Sequence, residues 1–130
     1  MTQVAPTAAW SKARVAVGNV TTAQANSGIS IVPNSSGRTC IVTGVKMRCH
    51  GSASGATGLD IIDNAASPVT AVEIPAADLT DSAWATEASS NTVITNLGLR
   101  LTPGYGLSLK ANGTLATTTS VDYIVHYAVE

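Results

Sequence analysis

Hydrophobic and polar positions alternate most regularly at the end of the chain, over residues 120–130. Val121, Tyr123, Val125, Tyr127 and Val129 fall on every second residue, and Ser120, Asp122, Ile124, His126, Ala128 and Glu130 stand between them. That is the period of a strand with one buried face and one mostly wet face. Shorter pieces of the same pattern recur upstream. Val15 and Val17 mark a strand over residues 14–20, and Ile29–Val32 is a short strand ended by Pro33. Over residues 39–50 the period puts Ile41, Val45, Met47 and Cys49 on one face and Val42, Lys46, Arg48 and His50 on the other. Residues 59–63, with Leu59 and Ile61 aligned, and residues 69–74, with Thr70, Val72 and Ile74 aligned, predict two more strands. In the C-terminal block Leu97, Leu99 and Leu101 alternate with Gly98 and Arg100, and Leu107 and Leu109 with Ser108 and Lys110.

The segments between these runs carry turn chemistry. Residues 21–28 are polar and read as a turn, residues 34–37 as a loop, and the Gly/Ser-rich residues 51–58 as a flexible connection. Pro103-Gly-Tyr-Gly106 is a turn, because Pro presets one torsion and Gly permits a positive one. Residues 76–90 read as a loop with one helical turn, for which Asp78, Thr80 or Asp81 supplies a cap. Asn112-Gly113 is a hairpin signal. Parity opposes the simplest two-residue hairpin, which would put Thr118 and Ser120 on the apolar face. An odd-length loop, or a bulge within residues 115–119, restores the register. Residues 1–12, with Pro6, small residues and Trp10, read as an extended arm. About eight short strands and almost no helix predict an all-β chain: a single β-sandwich, jelly-roll or related Greek-key, over residues 13–130, preceded by that arm.

Composition narrows the function classes. At 130 residues the chain has the size of one domain. Charged residues make up 12%, against about 25% in ordinary soluble domains. Seven basic and eight acidic side chains leave a net charge of −1, without the basic excess of a nucleic-acid binder. No apolar run is long enough to cross a bilayer, and residues 1–10 lack the pattern of a secretory signal, so synthesis in a reducing cytoplasm is expected. The polarity comes from Ser, Thr, Asn and Gly. Such a surface belongs either to a compact, stable β protein or to one covered by copies of itself or by a partner.

Candidate chemistry is sparse. Cys40 and Cys49, nine residues apart on one strand, would be about 30 Å from each other and face opposite ways, which excludes a bridge unless Gly44 folds the strand back. A zinc site would have only these thiols, His50 and the distant His126 to draw on, and is rejected. The glycines of residues 51–58 lack the Lys-Ser/Thr of a phosphate loop. Asp60 and Asp63 face opposite ways and read as residues flanking a turn. Asp122 and His126 share a strand face but stand about 13 Å apart, too far for a catalytic triad. Neither an enzyme nor a cofactor is expected. Lys46, Arg48 and His50 are the one local cluster of positive groups, sent to a single face; they read either as a solvated face or as a contact for an acidic partner surface. Trp10 and Trp84, in loop-like segments, read equally as buried anchors and as interface contacts.

Three runs carry a resemblance: Val42-Thr-Gly-Val-Lys-Met-Arg48, Leu99-Arg-Leu-Thr-Pro-Gly-Tyr-Gly-Leu-Ser-Leu-Lys110 and Val121-Asp-Tyr-Ile-Val-His-Tyr127. With them, residues 39–130 resemble the small jelly-roll capsid decoration, or cement, proteins of tailed bacteriophages. The likeness is one of texture and order: strands rich in Ala, Thr, Ser and Gly, few charges, and a tyrosine-bearing last strand. It implies a non-enzymatic protein on the outer capsid surface of a virion, which clamps subunits of the major capsid protein. It also implies self-association, with a homotrimer favoured over a dimer. The absence of a basic excess and of a membrane-length apolar run leads to the expectation of contact with neither nucleic acid nor membrane. The arm, with Trp10, Lys12 and Arg14, is expected to touch the shell or a neighbouring copy, and Lys46, Arg48 and His50 to add to the interface. The alternative is a receptor- or carbohydrate-binding module of a phage tail or fibre, in which exposed aromatics such as Trp84 and Tyr105 would stack on sugars.

Overall fold

Alternation of apolar side chains across pleated strands builds two antiparallel sheets that face each other. The structure is a computed structural model, which describes residues 12–79, 83–86, 94–116, 118 and 120–130. Its strands are β1 (Lys12–Thr21), β2 (Ile29–Val32), β3 (Cys40–His50), β4 (Ala56–Asp63), β5 (Thr70–Pro75), β6 (Ala85–Thr86), β7 (Ile94–Thr95), β8 (Leu107–Gly113) and β9 (Ser120–Val129). One helix, α1 (Thr22–Ser27), joins β1 to β2, and a 3-10 turn covers Ala76–Asp78. A four-stranded sheet has the order β1-β9-β3-β6, and a five-stranded sheet the order β2-β8-β4-β5-β7. That is the strand order of a jelly roll with β7 added at one edge. The predicted all-β sandwich is the fold observed.

The core lies between the sheets. Val42, Val45, Met47, Val121 and Val125 come from the four-stranded sheet, and Leu59, Ile61, Val72, Ile74, Leu107 and Leu109 from the other, all essentially inaccessible. Each such side chain contributes roughly 1.5–3 kcal/mol on burial. The period of the last strand holds: Val121, Val125 and Val129 are buried, and Tyr123 and Tyr127 pack against the core. Gly18 sits opposite Tyr123, whose ring fills the space a side chain would need.

Several sequence expectations need correction. Val42 faces the core and Ile41 is only partly buried, because the register of β3 against β9 shifts between Val42 and Gly44. Thr43 is the extra residue of a β-bulge, and it reverses the parity of everything before it. The same bulge brings Cys40 and Cys49 to the same inner face, as buried free thiols. Residues 21–28 hold α1, whose start is a capping box: the Thr21 hydroxyl accepts from Gln24 N–H, and the Gln24 side chain accepts from Thr21 N–H. Within the Gly/Ser-rich connection, Ala56–Gly58 already belong to β4. Asn112 and Gly113 form no hairpin. They end β8 paired to Gly58 and Ala56 of β4, and β8 and β9 lie in different sheets. Leu97, Leu99 and Leu101 do not form a strand: Asn96–Leu99 is a turn closed by Leu99 N–H on the Asn96 carbonyl, with Leu97 and Leu99 exposed and Leu101 buried.

The edges of the sheets are unequal. Among the described residues, β6 and β7 have two residues each and β2 has four, whereas β1 presents a ten-residue edge paired on one side only, to β9. A long edge strand offers unpaired backbone groups to any strand that reaches it. Residues 1–11 and the side chain of Lys12 lie outside the described residues, and with them the expected arm and Trp10.

Candidate functional site

Three neighbouring strands send alternate side chains to the outer face of the four-stranded sheet. Register places Lys46 of β3, Ile124 of β9 and Val17 of β1 in one row, Arg48, Asp122 and Asn19 in the next, and His50, Ser120 and Thr21 in the third. Val15 stands opposite His126 one row before. The predicted grouping of Lys46, Arg48 and His50 on one face is therefore what the register produces.

Asp122 is the hub of this face. Arg48 donates from Nε and Nη2 to its Oδ2 at 3.0 and 2.8 Å, and His50 Nε2 lies 2.8 Å from the same oxygen. Asn19 Nδ2 donates to Oδ1 at 2.6 Å. Hydrogen bonds from Asn19, Arg48 and His50 pull the Asp122 carboxyl down to about 2, against the opposing effect of burial. The Arg48 guanidinium also lies 4.4 Å above the Trp84 ring, a cation–π contact that fixes its plane. The positive cluster read from the sequence thus encloses a carboxylate from a strand distant in sequence. Lys46 is left exposed beside it.

Next to this ordered polar cluster the same face is apolar. Val15 is 53% exposed and Val17 65%, with Ile124 between Val17 and Lys46 in register. Branched side chains facing outward on a long edge strand leave more than half of their surface uncovered by the described residues. The strand period over residues 14–20 was readable, but not that its valines would face outward.

Arg14 takes the other face of β1. It lines a cleft of about 290 Å³ between the sheets, with Arg38, Tyr105 and Tyr127 around it and Cys40 and Val32 among its apolar lining. Burial pushes both thiols up, Cys49 to about 11; the Arg14 charge opposes the shift at Cys40, and a hydrogen bond from Thr118 opposes it at Cys49. Both are inert thiols at neutral pH.

Two acidic sites lie elsewhere. Asp63 is buried and accepts from Ala65 N–H and Val69 N–H through Oδ1 and from the Thr102 N–H and hydroxyl through Oδ2, which ties two loops together. Asp60, on the outer side of β4, faces Glu73 of β5 and Lys110 of β8 in register. Burial, and then the hydrogen bond and charge of Glu73, push the Asp60 carboxyl up to about 8. Glu73 is held below its ordinary range by that same bond and by the Asn112 amide, 2.8 Å from its Oε2. One carboxyl raised beside one lowered is the pattern of a pair that carries a single proton across two strands. Nothing in the linear order hints at this pairing, since its partners are strangers until strand order is known. Among the described residues no three His, Cys, Asp or Glu side chains gather as metal ligands, and no helix is long and apolar enough to cross a membrane.

Comparison with protein-family models and with curated proteins found no match to this chain.

Proposed function

We propose that this chain is a non-enzymatic virion structural protein: a capsid decoration protein that sits on the outer surface of a shell and clamps subunits of the major capsid protein. The observation that carries the reading is the outer face of the four-stranded sheet, where exposed Val15 and Val17 adjoin a salt-bridged cluster held rigid by Asp122. An apolar patch rimmed by ordered polar groups is the anatomy of a docking surface. Low charge density removes the long-range repulsion that would keep copies apart on a crowded shell. Many weak contacts then act together on a symmetric lattice. The chain self-associates in this reading, with a trimer favoured. For the sugar-binding alternative, Arg48 covers one face of Trp84, which leaves only its other face for stacking.

The test identifies a major capsid protein gene in the same genome and mixes the purified protein with shells assembled from its product. Saturable pelleting with shells at a fixed ratio to capsid subunits, together with a higher temperature of shell disruption, is expected. Absence of saturable binding would overturn the reading. Sedimentation velocity at micromolar concentration is expected to give a trimer.

A further inference from the structure

The inter-sheet cleft at the β1 edge serves neither the core nor the outer face just described. Its position follows from the fold: β1 and β2 are the edge strands of the two sheets on the same side, and α1 links them at one end, with Ala25 fully buried. Toward the other end, away from α1, Arg14 of β1 and Arg38 of the β2–β3 loop line the cleft together with Tyr105 and Tyr127. Neither guanidinium has an ion pair or side-chain hydrogen bond among the described residues. Glu130, which follows the cleft-lining Val129, gives its carboxylate to Arg100 at 2.8 and 2.9 Å. Residues 1–11, which precede β1, contain no acidic side chain that could serve the two arginines.

We propose that this cleft binds an acidic, extended peptide segment of a partner protein, added as a strand along the free edge of β1 with a carboxylate side chain placed between Arg14 and Arg38. Two features select that occupant. Among the described residues no strand pairs with the outer edge of β1, whose ten residues offer backbone groups that an added strand satisfies. Two guanidiniums lining one cleft with aromatic rings match a carboxylate on a short apolar stem. The cleft volume accommodates one or two side chains, and every second residue of an added strand points into it. This site is independent of the capsid reading, since it lies on a different face and needs no shell.

The experiment uses the full chain and fluorescein-labelled Val-Glu-Val-Glu-Val-Glu, followed by fluorescence anisotropy at low salt. Saturable binding is expected, at least about tenfold tighter than that of Val-Gln-Val-Gln-Val-Gln, and unaffected by free glutamate at the same concentration as the peptide. Arg14→Gln/Arg38→Gln is expected to lose that preference while keeping its thermal midpoint. Should the double variant fold poorly, Arg38→Gln alone, in an exposed loop, is expected to weaken binding at least about threefold. Absence of saturable binding up to millimolar protein, equal affinity for the two peptides, displacement by free glutamate, or undiminished preference in a folded arginine variant would each overturn the proposal.

Discussion

Asp122 shows how much one side chain organises. Its carboxylate holds Asn19, Arg48 and His50 from the two strands that flank β9, and through Arg48 it fixes Trp84. Asp122→Ala takes from Asn19, Arg48 and His50 the acceptor they share. The expected cost is about 1–2 kcal/mol at pH 7, more than for an isolated surface pair because three donors lose one acceptor. Thermal unfolding checks it, with a lower midpoint for the variant. The folded carboxyl titrates near 2, below its ordinary 3.8, so its contribution is complete above about pH 4 and disappears as pH falls toward 2. The gap between wild type and variant should close over that window. Asp60 has the opposite sign. Its folded carboxyl titrates near 8 against an ordinary 3.8, so the folded chain holds a proton that the unfolded chain releases. Stability from this site is complete below about pH 4 and is lost as pH rises through 8. Asp60→Asn keeps a donor toward Glu73 without the titration. Its thermal midpoint should fall less between pH 5 and pH 8 than that of the wild type; an equal fall would contradict the shared proton.

At the scale of elements, the inward face of β9 was legible because uninterrupted alternation allows one assignment of faces. The existence of β3, β4 and β5 was legible too, although a register shift at Ala71 turns Thr70 away from the face of Val72 and Ile74 with which it was aligned. Thr43 marks where that logic fails. A bulge adds a residue without changing composition, so strict parity puts Val42 and Cys40 on the wrong side while placing Val45, Met47 and Cys49 correctly. Asn112-Gly113 failed for a different reason: a turn dipeptide states a local preference, and the long pairing of β8 with β4 overrides it. The signal for α1 was present in Thr21 and Gln24, three apart at the start of the polar run, but a six-residue helix leaves no periodicity to read. Thr21→Ala removes that cap and is expected to cost about 1 kcal/mol, read as a lower denaturant midpoint with an unchanged slope. Among the candidate site residues, the shared face of Lys46, Arg48 and His50 was legible from parity within one strand. Asp122 and Asn19 were not, because only strand order brings residues more than seventy positions apart into one row.

At the scale of the whole molecule the two sheets leave unequal surfaces. The jelly roll buries its apolar residues between the sheets and keeps three of its four described edges short, yet leaves a ten-residue edge and two outward valines on β1. An edge of this kind invites unwanted pairing unless something covers it. In the proposed function, a shell of capsid subunits covers the valine-bearing face. The most direct measurement compares shell binding by the wild-type chain and by Val15→Lys/Val17→Lys. Both side chains are more than half exposed, so the double variant should fold with an unchanged thermal midpoint. It is expected no longer to pellet with shells under conditions that saturate the wild type. A folded variant that still saturates the shells at the wild-type ratio would contradict the clamp.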